Sequence, residues 1–169
     1  MAKKILVLIY ILINSSLFYA EDISKEDQEK LTKVYAMYDE FKVEFKSVTA
    51  ITPKELKQLK AKYTIVDVRD KEEQDISMIP AAITKEEFEK NKDKYKDTIV
   101  ITYCTIGYRS GYYAEKLSKE GFKAQNLKGS ILAWVLSGES VQKDGKDVLE
   151  VHVYGKKWNI LPSKYKSIW

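Results

Sequence analysis

The chain has one cysteine, Cys104, set in the stretch Tyr103-Cys104-Thr105-Ile106-Gly107-Tyr108-Arg109-Ser110. Before it runs Thr98-Ile99-Val100-Ile101-Thr102, a β-branched stretch that reads as a buried strand. After it, Gly111 to Lys119 reads as a helix. A thiol between a strand end and a helix start faces unpaired backbone N–H groups and the positive end of the helix dipole. Such surroundings stabilise a thiolate, the nucleophilic form of sulfur. Arg109 adds a permanent positive charge five residues on. These residue types suit covalent chemistry by a sulfur nucleophile, which attacks directly and needs no general base. The same cysteine also reads as a small buried hydrophobe at a strand end. The elements that place it decide between the two.

Those elements alternate. Ser47 to Ile51 is a short strand candidate, and Thr52-Pro53-Lys54-Glu55 opens a helix with a capping box and a proline at the first helical position. Leu56, Leu59 and Tyr63 are expected to face the core. Thr64 to Arg69 reads as a central strand ending in charge, and Lys71 to Ile76 as a short helix or turn. Ile79 to Ile83 leads through a loop to a short strand. Thr84-Lys85-Glu86-Glu87 is a second capping pattern, opening a helix through about residue 95. Then follow the strand over 98–103, the cysteine loop, and a helix over 110–120 stopped by Gly121. Lys123 to Leu127 reads as a strand, and Ile131 to Leu136 as an apolar helix ending at Gly138.

This rhythm predicts an α/β fold, a mostly parallel central sheet with helices on both faces. Ligands in such folds bind beyond the carboxyl ends of the strands. Cys104 stands at one such end, and Asp67 and Arg69 near another. The cysteine is therefore on the expected ligand edge.

The flanks differ. Residues 1–20 carry Lys3 and Lys4, the apolar run Ile5 to Ile13, and Ala20 ahead of Glu21-Asp22, the pattern of a secretory signal cleaved after Ala20. The apolar run is short for a spanning helix, although an uncleaved amino-terminal membrane anchor is the alternative. Export implies a periplasmic or secreted protein, and one cysteine cannot close an internal disulfide. Residues 21–47 hold an amphipathic helix with Leu31, Val34, Tyr35, Tyr38, Phe41 and Phe45 on one face, read as a packing helix rather than a partner-binding one. Residues 141–169 form a carboxyl-terminal extension. Asp144-Gly145 marks a hairpin, residues 148–154 alternate as one strand, and Trp158, Pro162, Tyr165 and Trp169 suggest an aromatic clasp. His152 is expected on that strand's surface rather than as a catalytic base.

The net charge is +4, with acids and bases interspersed, which argues against a nucleic-acid-binding stripe. A single histidine and the absence of CxxC or HExxH patterns argue against a metal site, and no cofactor is implied.

Asp67-Val68-Arg69, Ile79-Pro80-x-Ala82, Cys104-x-x-Gly107-x-Arg109-Ser110, and Gly129 with Ala133-Trp134 follow one another in an order and spacing that resembles a rhodanese-like domain over residues 48–140. The resemblance implies a thiosulfate-type sulfurtransferase. Its cysteine, here Cys104, takes a sulfane sulfur from a small anionic donor, becomes a persulfide, and passes the sulfur to a thiol or cyanide. On this reading Thr105, Ile106, Gly107, Tyr108, Arg109 and Ser110 form the substrate-binding ring, their N–H groups turned toward the outer sulfur. Asp67 and Arg69 support it, with Asp67 as a partner for Arg109. Related cradles for phosphate or arsenate have five residues between cysteine and arginine. Here there are four, which suits a sulfur atom. The family's usual Gly-His before Ile-Pro is Ser77-Met78, the residues after the cysteine are neutral, and a frequent Gly-Gly is Gly129-Ser130. The neutral loop lowers the positive charge available to an anionic donor such as thiosulfate. It also leaves open a non-catalytic module that carries sulfur or binds a protein partner. A thiol redox protein is a weaker reading, because the chain has no resolving cysteine.

Overall fold

The computed structural model describes residues 23–169; the expected signal segment, residues 1–20, lies outside them. The chain opens with α1 (Lys25–Phe41), capped by Ser24, whose side chain accepts from the Asp27 N–H. It continues through β1 (Thr49–Ile51), α2 (Pro53–Gln58), β2 (Tyr63–Asp67), α3 (Lys71–Gln74), β3 (Ile83–Thr84) and α4 (Lys85–Lys90). Then come β4 (Ile99–Tyr103), α5 (Tyr108–Lys119), β5 (Lys123–Leu127) and α6 (Ser130–Leu136). Four short strands close the chain: β6 (Val141–Lys143), β7 (Lys146–Val148), β8 (Glu150–His152) and β9 (Lys166–Ile168).

β1 to β5 form one sheet in the order β1-β5-β4-β2-β3, with every pairing parallel. Alternation along the strands divides the core. Ile65, Ile101 and Leu127 pack with Leu31 and Val34 of α1, Leu56 of α2 and Leu132 of α6. Val66 and Val100 pack with Phe88 of α4 and Ala114 and Leu117 of α5. The chain leaves β2 toward β3 at one edge and leaves β4 toward β5 on the other side. The carboxyl ends of β2 and β4 are thus where the connections diverge, the position at which open α/β sheets bind ligands.

The helix starts follow their sequence signals. Thr52 and Glu55 make the reciprocal capping box, and Thr84 accepts from the Glu87 N–H. Several expectations are corrected. β2 is an inner strand as expected, paired with β4 on one side and β3 on the other, but it ends at Asp67 rather than Arg69. Tyr63 does not face the core; it begins β2 and is exposed. The helix after Thr84 ends at Lys90, where the Asn91 side chain bonds the Glu87 carbonyl at 3.0 Å, and a 3-10 turn, Lys92–Tyr95, follows.

The expected single strand over 148–154 is two strands in different sheets. β7 pairs with β6 across Asp144-Gly145, both with positive φ as a tight two-residue turn requires. β8 instead lies parallel to β9, and exposed Leu149 is the hinge between them. Ile160, Leu161 and Pro162 anchor the tail, and Lys30 Nζ of α1 donates to the Leu161 carbonyl at 3.0 Å. Trp169 stays exposed rather than packing as part of a clasp. Among the described residues no helix is long and apolar enough to cross a membrane.

Candidate functional site

β4 ends at Tyr103, and residues 104–107 form the loop that carries Cys104 into α5 at Tyr108. The thiol lies at the bottom of this loop, with the residue 2 % exposed. The Gly107 N–H donates to Sγ at 3.2 Å, and Ser110 Oγ lies 3.5 Å from it. The bend that aims Gly107 inward needs φ = 111°, a left-handed conformation suited to glycine. A Cβ there would also lie 2.5 Å from the ring of Tyr38 on α1. Helix α5 follows directly, its amino terminus beside the sulfur, where its dipole favours negative charge.

The loop is held from several sides. Asn126 at the end of β5 accepts from Ser110 Oγ at 2.7 Å and donates to the Gly107 carbonyl at 2.8 Å. Ser130 Oγ accepts from the Cys104 N–H at 3.0 Å. The Ile131 and Leu132 N–H groups, in the first turn of α6, donate to the carbonyls of Cys104 and Thr105. The backbone groups around the thiol are therefore positioned by buried bonds, leaving little reorganisation for a reacting sulfur to wait on.

Arg109 does not pair with Asp67. Its Nη1 donates to Glu73 at 2.6 Å and to Asp70 at 3.1 Å, and Nη2 donates to the other Glu73 oxygen at 2.8 Å. Burial opposes the charge on Glu73, but the Arg109 bonds and the Asp70 N–H outweigh it and lower its pKa. Burial likewise opposes the charge on Arg109, and its hydrogen bonds to the Glu73 carboxylate raise its pKa over that penalty. Thr105 Oγ1 is drawn into the same cluster, donating to Glu73 and accepting from Arg109. Its hydroxyl is thus committed to the scaffold.

Asp67 is taken by other partners because it ends β2 directly opposite Tyr103 of β4. The Tyr103 hydroxyl donates to Asp67 at 2.5 Å and accepts from the Ile79 N–H at 3.1 Å. Arg69 makes a fork to Asp67 through Nε and Nη2, and Nη2 also reaches the Ser77 carbonyl at 2.6 Å. Both side chains of this ion pair are fully buried. Burial raises the Tyr103 pKa, and the Asp67 charge raises it further, so the phenol keeps its proton. The trio fastens the ends of β2 and β4 and the Ser77–Ile79 loop.

An open cleft of about 650 Å³ leads down to Cys104. Thr105, Ile106, Tyr108 and Arg109 of the loop line one part, while Gly107 and Ser110 contact the sulfur from within. Met37 and Phe41 of α1, and Tyr154 and Trp158 of the tail, line the rest. Tyr154 lies over the Arg109 guanidinium, 4.9 Å from its carbon to the ring centre. His152 does not line the cleft; its Nδ1 accepts from the Tyr154 N–H at 3.1 Å and lies 3.9 Å from Glu73.

Reading the sequence missed Glu73, Asn126 and Ser130, and it missed the cleft walls from both flanks. Glu73 carried one faint signal, since it stands three residues after Asp70 in a capping pattern that the structure contains. Asn126 carried none. Among the described residues no group of side chains suits a metal ion.

Comparison with known proteins agrees with this architecture. A family profile described as "Rhodanese-like domain" matches residues 52–137. "Putative sulfurtransferase YtwF" of Bacillus subtilis (strain 168) is 30% identical over 105 residues, 60% of this chain and 100% of that protein. Among solved structures, a thiosulfate sulfurtransferase from Pseudomonas aeruginosa superposes with a TM-score of 0.52 at 20% identity, covering 69% of this chain and 24% of that one. A protein of unknown function from Rhodopseudomonas palustris, named a possible tyrosine phosphatase, does so at 0.51 and 22%, covering 64% and 93%. At these identities the two structures speak for the fold alone. The five-stranded parallel sheet, the match across half the chain and the relative aligned along its whole length place this chain in the rhodanese-like domain family.

Proposed function

We propose that the protein is a sulfurtransferase in which Cys104 carries sulfane sulfur as a persulfide. The observation that carries this reading is the Cys104 Sγ itself, at the foot of an open cleft, with the Gly107 N–H at 3.2 Å and Ser110 Oγ at 3.5 Å. The Cys104 thiolate attacks the terminal sulfur of a thiosulfate-type donor. A new S–S bond forms, the donor's S–S bond breaks, and its electron pair leaves with sulfite. The negative charge then rests on the outer sulfur, where the loop's N–H groups and the start of α5 favour it. A thiol or cyanide takes that sulfur and restores the thiolate. Arg109, bound to Glu73 and Asp70, acts as a positioning residue for the loop. The four-residue interval between Cys104 and Arg109 favours sulfur over phosphate.

Incubation with thiosulfate or another sulfane donor is expected to add a single sulfur, about 32 Da by intact mass, through thiolate attack. Cys104→Ser abolishes the adduct. A wild-type protein that gains sulfur from no donor overturns the proposal. The proposal extends to export, on the strength of the basic start and apolar run in residues 1–20.

A further inference from the structure

The walls of the cleft come largely from outside the segment that matches the family. That segment is residues 52–137, whereas Met37 and Phe41 precede it and Tyr154 and Trp158 follow it. Both flanks are built firmly against the domain. Val34 and Tyr38 of α1 are fully buried, and Phe41 meets the rings of both Tyr108 and Trp158, at 5.4 and 6.1 Å. Tyr154 is held at φ = 66°, a strained conformation for a residue other than glycine, with its N–H bonded to His152. That strain is maintained where the ring covers Arg109 beside the cleft.

The side chains of the cleft give a small inorganic anion little net positive charge to add to the N–H groups at its foot. Arg109 directs both terminal nitrogens to Glu73, Asp70 and Thr105. Lys157 and Glu40 both line the cleft, one charge of each sign, and the Lys157 ammonium lies over the Trp158 ring at 4.4 Å. What remains to meet a ligand is chiefly apolar: Met37, Phe41, Ile106, Tyr108, Tyr154 and Trp158. A volume of about 650 Å³ falls in the range that holds an organic ligand.

We propose that the two flanks make this protein selective for an organic sulfur donor, a sulfane sulfur attached to an apolar body that lies between Phe41 and Trp158. The inference rests on the sulfurtransferase reading of Cys104. For a donor R–SO2–S⁻, the Cys104 thiolate bonds to the terminal sulfur and the donor's S–S bond breaks. The electron pair leaves on the sulfinate R–SO2⁻, and charge and oxidation balance without a further reactant. The body R stays in the apolar cleft while this happens, and its burial adds to the attraction.

The test compares ethanethiosulfonate with 2-phenylethanethiosulfonate, which share a reacting group and differ by a phenyl ring insulated from it by two carbons. The second-order rate of sulfur loading on Cys104, followed by intact mass, is expected to be at least about tenfold higher for the phenyl donor. In Trp158→Ala and Phe41→Ala that ratio falls toward one. Met37→Ala, a milder change to the same wall, lowers it in part. Because each ratio is taken within one protein, a loss of folded material cancels. A wild-type ratio near one, or a ratio unchanged in all three variants, overturns the inference while leaving Cys104 as a sulfur carrier. Failure of every donor to load Cys104 overturns the sulfurtransferase reading along with it.

Discussion

Glu73 ties the charged side of the cysteine loop together. One buried carboxylate receives two nitrogens of Arg109, the Thr105 hydroxyl and the Asp70 N–H. Replacing it by alanine leaves Arg109 and Thr105 without that partner. Because Arg109 is partly solvated, the expected loss is about 2 kcal/mol, readable by urea unfolding. The pH dependence has a definite sign. The folded pKa of Glu73 is lowered, so its ionisation adds stability above the unfolded carboxylate value of about 4.3. That contribution disappears as pH falls through the lower folded value. Wild type and Glu73→Gln should therefore differ most in stability near neutrality and converge in acid; a constant gap from pH 6 to pH 3 would refute this account. Arg109→Ala is expected to slow sulfur loading by about 100-fold while the domain stays folded, since a displaced loop moves the Gly107 N–H away from Sγ. Loading at the wild-type rate would remove Arg109 from the positioning role.

At the scale of elements, the loop depends on helices that lie far from it in sequence. Tyr38 of α1 occupies the space a Cβ at Gly107 would need. Gly107→Ala meets both that ring and an unfavourable φ, so it should lose sulfur loading and about 2 kcal/mol of stability. Calorimetry and intact mass check the two effects separately. Leu31→Ala in the buried cluster where α1 packs against α6 should cost about 3 kcal/mol. A change below about 0.5 kcal/mol would mean α1 is only loosely laid on the domain. The elements themselves were largely legible in the sequence. Thr52-Pro53-Lys54-Glu55 marks a helix start because its side chains satisfy orphan N–H groups locally. The β-branched run before Cys104 marks a buried strand for a similarly local reason. The strand break at Leu149 was not legible, because residues 148–154 alternate without interruption while their partners lie in two separate sheets.

At the scale of the whole molecule, the sulfur proposal and the export proposal meet in one prediction. Protein recovered from a secretion-competent host should begin at Glu21, with a mass short of residues 1–20. A full-length product would favour the retained-anchor alternative.

Local chemistry written in the order of residues was enough to determine the alternation of strands and helices, the ligand edge, and the Cys104–Arg109 loop. Which carboxylate would hold Arg109, and which side chains would enclose the thiol, was decided only by the tertiary structure. Asp67 and Glu73 are both acidic residues near a strand end, and nothing in their spacing distinguishes them. The pairing of β2 with β4 places Asp67 opposite Tyr103, and α3 places Glu73 under the loop. Phe41 and Trp158, more than a hundred positions apart, meet at 6.1 Å over the cleft because α1 and the tail pack on the same domain. Contacts of that kind follow from how elements pack, not from neighbours along the chain. The candidate sulfur could thus be read from the sequence, and the cleft that encloses it could not.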